Sequence, residues 1–181
     1  YHCGDVINAR VLRKGKSKNV ALTMQPMKWL VPRTEYDRRP MWFLFGGLVF
    51  QRLTAEYLRN WGENWWDKAP KELLHSYYHG LRKPEQQEVV VLAQVLADAV
   101  NVGYEAFHND SVVSVNGTPP VDMLDFIQRV DKATGDVVIK LSSGATVLLD
   151  AANARDAEAR IVALYHVPGD RSVDLPKRRR R

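Results

Sequence analysis

Cysteine is nearly absent: Cys3 is the only one in 181 residues, so the chain can form neither an intramolecular disulfide nor a thiolate metal cluster. Long apolar runs are missing too. Residues 41 to 50 are followed at once by Gln51 and Arg52, well short of the roughly 18 apolar residues that span a bilayer, and no membrane span is expected. The start, Tyr1-His2-Cys3-Gly4-Asp5, has no basic region leading into an apolar one, so no signal peptide is visible. It also lacks an initiating methionine, as expected of a fragment. An excess of one charge is missing from the body of the chain. Five of the 26 basic residues lie in the tail 177 to 181, and the remaining 21 balance 21 acidic ones. A solvated basic tail is the simple reading, and no nucleic-acid partner is expected.

What is present is a series of β-hairpins and short helices. Residues 4 to 24 alternate around Lys14-Gly15, and residues 135 to 150 repeat that plan around Gly144; each predicts two strands and a turn. The repetition suggests that one kind of domain ending occurs twice. The sequence accordingly divides into a closing hairpin of a preceding domain at 1–25, a proline-containing connector at 26–40, a main domain at 41–170 and a basic tail at 171–181. Within the main domain, Thr54 is a candidate N-cap for a short helix and Pro70 opens a second. Residues 54 to 83 therefore form a helical insert, and its tryptophans and tyrosines make either a satellite core or a partner surface. Strands are predicted at 88 to 96 and 111 to 115. Asp122 is placed to cap a helix running to Lys132, and a last helix spans 154 to 166.

The run Met41-Trp-Phe-Leu-Phe-Gly-Gly-Leu-Val-Phe50 carries the main functional signal. Gly46 and Gly47 can take positive φ at little steric cost, so their N–H groups could converge on a carboxylate. Leu48, Val49 and Phe50 could then pair with an incoming peptide as an added strand. A buried strand that bends at two glycines accounts for the same ten residues.

Phe45-Gly46-Gly47-Leu48-Val49-Phe50, Leu92-Ala-Gln-Val-Leu-Ala97, Asn101-Val-Gly-Tyr-Glu105, Ser114-Val-Asn-Gly117 and a closing hairpin together resemble the C-terminal PDZ region of Deg/HtrA-type serine proteases. Leu149-Asp-Ala-Ala-Asn-Ala154 and the ending Leu-Tyr-His-Val-Pro168 are similar to the branch found in plants and some bacteria, whose second PDZ domain is enlarged. The resemblance covers residues 4 to 170. It implies an α+β fold, a PDZ-like, partly open antiparallel β-barrel or sandwich with a groove helix. It also implies a non-catalytic part of a serine endopeptidase active in protein quality control, whose protease domain lies elsewhere. No Gly-x-Ser-Gly-Gly nucleophile motif occurs, and Ser142-Ser143-Gly144 reads as turn chemistry. No catalytic residue is assigned.

The expected peptide-binding residues are Phe45, Gly46, Gly47, Leu48, Val49 and Phe50 on one wall and Leu124, Ile127 and Gln128 on the other. The expected partners are a peptide or unfolded protein substrate and other protease or PDZ domains of the same protein, with a homo-oligomeric parent. An inter-subunit contact that builds or gates the oligomer is the competing role. No cofactor or metal is implied: His75 and His79 lack the glutamate of a zinc-protease motif. The sequence leaves the compartment open: periplasmic or otherwise extracytoplasmic is expected if the source is bacterial, and organellar or nuclear if it is plant-like. The helical insert could cover the groove, which would favour assembly over peptide capture.

Overall fold

The computed structural model describes residues 1–35 and 37–176; the tail expected at 177 to 181 lies outside them. The chain begins with β1 (Val6–Arg13) and β2 (Lys16–Thr23), an antiparallel pair forming its own two-stranded sheet. Lys14 and Gly15 both take positive φ, 50° and 74°, the turn geometry whose twist matches the flanking strands. Val6, Val11, Leu12 and Leu22 are exposed on it, and no residue before Leu30 joins a hydrophobic cluster among the described residues.

The main body is a mixed α+β fold on a six-stranded antiparallel sheet that does not close into a barrel. Its strands are β3 (Trp42–Phe45), β4 (Leu48–Arg52), β5 (Val90–Val95), β6 (Asp110–Val115), β7 (Asp136–Leu141) and β8 (Thr146–Asp150), in that spatial order. Side chains alternate across a strand, and the three apolar clusters divide accordingly. Phe43, Phe45, Phe50, Val90 and Leu92 enter the principal core. Trp42, Leu44 and Val49 turn to a smaller cluster with Ala157 and Ile161, while Val89 and Val91 enter a third with the insert.

That insert comprises α1 (Ala55–Leu58), a 3₁₀ turn at Arg59–Trp61, α2 (Trp65–Lys68) and α3 (Lys71–His79). Thr54 accepts a hydrogen bond from the Tyr57 amide at 3.1 Å, the capping role expected of it. Tyr57, Leu58, Leu73 and Leu74 pack with Leu53 and Val91, and Trp61, Trp65 and Tyr77 seal the edge, so most of the aromatic area builds a satellite core. Because Val91 and Leu92 face opposite ways, the insert lies on the other side of the sheet from the principal core.

Tyr57 is 8% exposed, and burial pushes its phenol up to about 12, while its hydroxyl donates to Asn109 Oδ1 at 2.6 Å. An unfolded tyrosine ionises near 10. The folded value is the higher one, so this contribution is intact below pH 10 and is lost as pH rises toward 12, by about 2 kcal/mol. Urea denaturation across that window is expected to show wild type losing about 2 kcal/mol more than Tyr57→Phe; parallel losses would contradict the assignment.

The remaining helices are α4 (Met123–Lys132), α5 (Ala151–Asp156) and α6 (Glu158–Leu164). Asp122 accepts from the Asp125 amide at 2.8 Å, as its position predicts. The last helix differs from expectation: it starts three residues early, because Asp150 accepts from the Asn153 amide and caps it, and it breaks at Ala157.

Candidate functional site: a groove between β3 and α4

Two glycines between apolar runs make a two-residue hairpin loop, and the structure places Gly46 (φ 54°) and Gly47 (φ 86°) at that tight turn. The residues before the glycines therefore form a strand of their own. Leu48 faces Phe45 on one side and Val95 on the other, and Phe50 faces Phe43 and Leu92. This corrects the expectation for Leu48, Val49 and Phe50: they form an interior strand with ladders on both sides, and Leu48 and Phe50 are fully buried. The turn is also enclosed. The buried Asn101 donates its Nδ2 to Gly46 O and Leu96 O, both at 2.8 Å, and Leu96 N donates to Gly47 O at 2.7 Å. Gly46 and Gly47 are both buried and their carbonyls are tied into the fold, so the turn is enclosed rather than open to a ligand. The outermost strand of the sheet is instead β3, whose last residue is Phe45.

Across from β3 stands α4. Its Phe126 ring meets Phe43 edge-on at 6.2 Å and Phe50 at 4.6 Å, so one aromatic side chain holds the helix against both strands. Each helix end is fixed from outside. The Met123 amide donates to Glu88 Oε2 at 3.1 Å. At the other end, Arg155 donates to the carbonyls of Val130, Asp131 and Ala133 at 3.0, 3.1 and 2.7 Å, satisfying orphan acceptors of the last turn. Of the residues expected on this wall, Ile127 is buried, whereas Leu124 is 42% exposed and Gln128 is exposed too. Helical spacing puts these three on the face that also carries Asp131.

The groove between β3 and α4 holds the chain's own segment 170 to 175. Leu44 N donates to Asp170 O at 2.7 Å and Ser172 N donates to Trp42 O at 3.0 Å, flanking an antiparallel bridge between Phe43 and Arg171. The Trp42 amide also donates to Ser172 Oγ at 3.3 Å. Arg171, whose side chain is 5% exposed, sets its guanidinium on both oxygens of Asp131 at 2.9 and 3.1 Å and lies over the Phe43 ring at 5.0 Å. Burial alone would lower its pKa, but hydrogen bonds to Asp131 and Asp170 outweigh that and raise it, so it stays charged. Leu175 then turns back into the principal core. Residues 171 to 175, read in the sequence as the start of a tail, are part of the folded body. They, and not the helical insert, occupy the cleft beside β3.

Phe43, Asp131, Arg171 and Leu175 were missed by the sequence reading. Asp131 was legible, lying four residues after Ile127 on the same helical face; the other three depend on a pairing between residues 130 apart. Ser142 donates to Asp110, a turn role, and the exposed His75 and His79 stand 5.1 Å apart, ring to ring, on α3.

Comparison with known proteins agrees with this architecture. A family model described as PDZ domain matches residues 31–174. Protease Do-like 2, chloroplastic, from Arabidopsis thaliana is 27% identical over 173 residues, covering 95% of this chain and 28% of that protein. Protease Do-like 4, mitochondrial, from the same plant is 29% identical over 94% of this chain and 30% of its own. A serine protease DegP homolog of Plasmodium falciparum (isolate 3D7) is 28% identical over 70% of this chain and 14% of its own. The chain thus spans less than a third of the length of these relatives, and the matched portion is a PDZ region rather than a protease domain. An antiparallel sheet whose edge strand faces a helix across a peptide-filled cleft is the architecture of a module that binds peptides and mediates protein contacts, and this chain belongs to the PDZ domain family.

Proposed function

We propose that the β3–α4 groove binds an extended polypeptide segment by strand addition, so that the domain recruits substrate to a Deg/HtrA-type serine endopeptidase or regulates it. In this reading residues 170 to 175 keep the groove closed until they are displaced. The observation that carries the reading is the pairing of Asp170 and Ser172 with Leu44 and Trp42 on β3, hydrogen bonds that any extended chain can make regardless of its side chains. The groove's walls are Phe43 and Phe45 on the strand and Ile127 with Leu124 and Gln128 on the helix. An internal occupant competes with any ligand in trans, so apparent affinity falls by the fraction of molecules in which the groove is vacant.

Displacing that occupant is expected to reveal binding. The variant Leu175→Asp places a charge in the principal core and should release the segment. A fluorescein-labelled peptide ending in a free valine is expected to bind the variant at least about tenfold more tightly than wild type by anisotropy, a shift equivalent to about 1.4 kcal/mol. A folded variant that binds no better would reject the reading. If 170 to 175 instead exchanges between copies, wild type will show a concentration-dependent dimer in sedimentation, and inter-subunit contact becomes the role of the groove.

The milder Leu175→Ala tests whether the segment opens by itself. Leu-to-Ala changes in a core cost about 2 to 5 kcal/mol, but a segment that can detach alone caps the loss at its own docking free energy. Hydrogen exchange is therefore expected to accelerate at the Leu44 amide, which is bonded to Asp170 O, with little change at Phe50 in the interior strand. Equal acceleration at both positions would mean that the segment opens only when the whole domain unfolds.

A further inference from the structure

Resting on the groove reading above, we infer that the groove selects an internal peptide motif, Arg followed four residues later by Leu, with no requirement for a free C-terminus. The seated segment reads Asp170-Arg171-Ser172-Val173-Asp174-Leu175-Pro176. Its anchors are Arg171 and Leu175, with side-chain exposure of 5% and residue exposure of 4%. Between them Val173 is 90% exposed and Asp174 is exposed, so these two positions contribute no recognition. The segment ends its burial at Leu175 and continues into Pro176, whose carbonyl accepts from Arg171 at 3.0 Å. A main-chain carbonyl therefore stands where a C-terminal ligand would end, and the motif can lie inside a loop.

The guanidinium geometry sets the chemistry. Nη1 and Nη2 each reach one oxygen of Asp131, Nε donates to Asp170 at 2.8 Å, and the plane rests over Phe43. A planar fork makes these contacts together, whereas an ammonium is a single point of charge and cannot reproduce them. An acidic residue there would face Asp131 in a half-buried site, a repulsion that rejects the wrong ligand as effectively as the fork accepts the right one. Ser172 adds a lesser preference, since its hydroxyl accepts from the Trp42 amide.

The test uses the full chain carrying Arg171→Ser and Leu175→Asp to vacate the groove, checked for folding by circular dichroism. The probe is a labelled peptide, Gly-Asp-Arg-Ser-Val-Asp-Leu-Pro, with both ends blocked. It is expected to bind the vacated protein at least about tenfold more tightly than wild type. Replacing the peptide's Arg by Glu is expected to cost at least about tenfold in affinity. Adding Asp131→Lys to the vacated protein should reverse the preference between the two peptides. Binding that ignores the Arg-to-Glu change, or an Asp131→Lys protein that still prefers Arg, would overturn the proposed selectivity. If the vacated protein takes a peptide ending in free valine but not the blocked one, the groove reading stands and the internal motif falls. If it takes neither while folded, both fall.

Discussion

Gly47→Ala is expected to lower stability by about 3 kcal/mol in chemical denaturation, whereas Gly144→Ala should cost about 1 kcal/mol. Both glycines have φ near +90°, so a methyl group at either carries the penalty of a left-handed residue, about 1 to 2 kcal/mol. They differ in surroundings. A Cβ on Gly144 meets nothing within 4 Å, but one on Gly47 falls 2.1 Å from Asn101 Nδ2 and 2.4 Å from Leu96 O. The Leu96 carbonyl is backbone and is itself bonded to Asn101. It cannot withdraw without disturbing the hydrogen bonds that tie the turn to the loop after β5.

The same substitution separates two accounts of the glycine pair. An exposed carboxylate nest at Gly47 would lose peptide affinity on substitution while keeping its fold. An enclosed hairpin turn loses stability first, and peptide affinity only in proportion to the unfolded fraction. A Gly47→Ala protein with an unchanged denaturation midpoint and abolished binding would restore the nest; a midpoint shifted several-fold further than that of Gly144→Ala supports the turn.

The contrast also shows which parts of the fold could be read in the sequence. Local chemistry was legible: Asp122 before an apolar helix, Thr54 at the insert, Lys14-Gly15 and Gly144 at hairpin turns all sit where their residue types direct. The fold class followed from the succession of these elements and from the family resemblance. Gly46-Gly47 carried a hairpin signal as well, because two apolar runs separated by two glycines form a paired ladder. Treating the glycines as a nest left Trp42–Phe45 without a partner and assigned the sheet edge to the wrong strand. The occupant of the groove was hidden for another reason. Asp170-Arg171-Ser172-Val173-Asp174 has no apolar period, and only the distant partners Phe43 and Asp131 turn it from a polar tail into a segment bridged to β3 and anchored through Arg171. The insert was recognisable as aromatic, but its side of the sheet was set by the alternation of Val89 and Val91 against Val90 and Leu92.

Arg52→Met is expected to cost about 3 kcal/mol, far more than removal of an exposed ion pair such as Arg59–Glu56, which is worth about 0 to 1 kcal/mol. Arg52 lies at the end of β4 between two carboxylates, donating Nη1 to Glu88 Oε1 at 2.9 Å and Nη2 to Glu35 Oε2. The three side chains are only 15 to 17% exposed. Burial works against the charge on Arg52, and the hydrogen bond to Glu88 leads the effects that raise its pKa despite that. Methionine fills much of the same volume but leaves Glu88 without its cation and Glu35 with only the exposed Arg38 at 3.8 Å, and the buried Glu56 Oε2 has no hydrogen-bond partner among the described residues. Removing one member of such a cluster is costly because the charges left behind stay desolvated. The cluster also reaches the groove, since Glu88 holds the Met123 amide with its other oxygen. Adding Glu35→Gln and Glu88→Gln to Arg52→Met is therefore expected to recover most of the lost stability, because the amide side chain at position 88 can still accept from Met123. If Arg52→Met alone moves the denaturation midpoint no further than Arg59→Met, the cluster is solvated and does not anchor α4. If stability recovers in the triple variant but peptide affinity of the opened groove does not, the charge on Glu88 is needed to set the helix against β3.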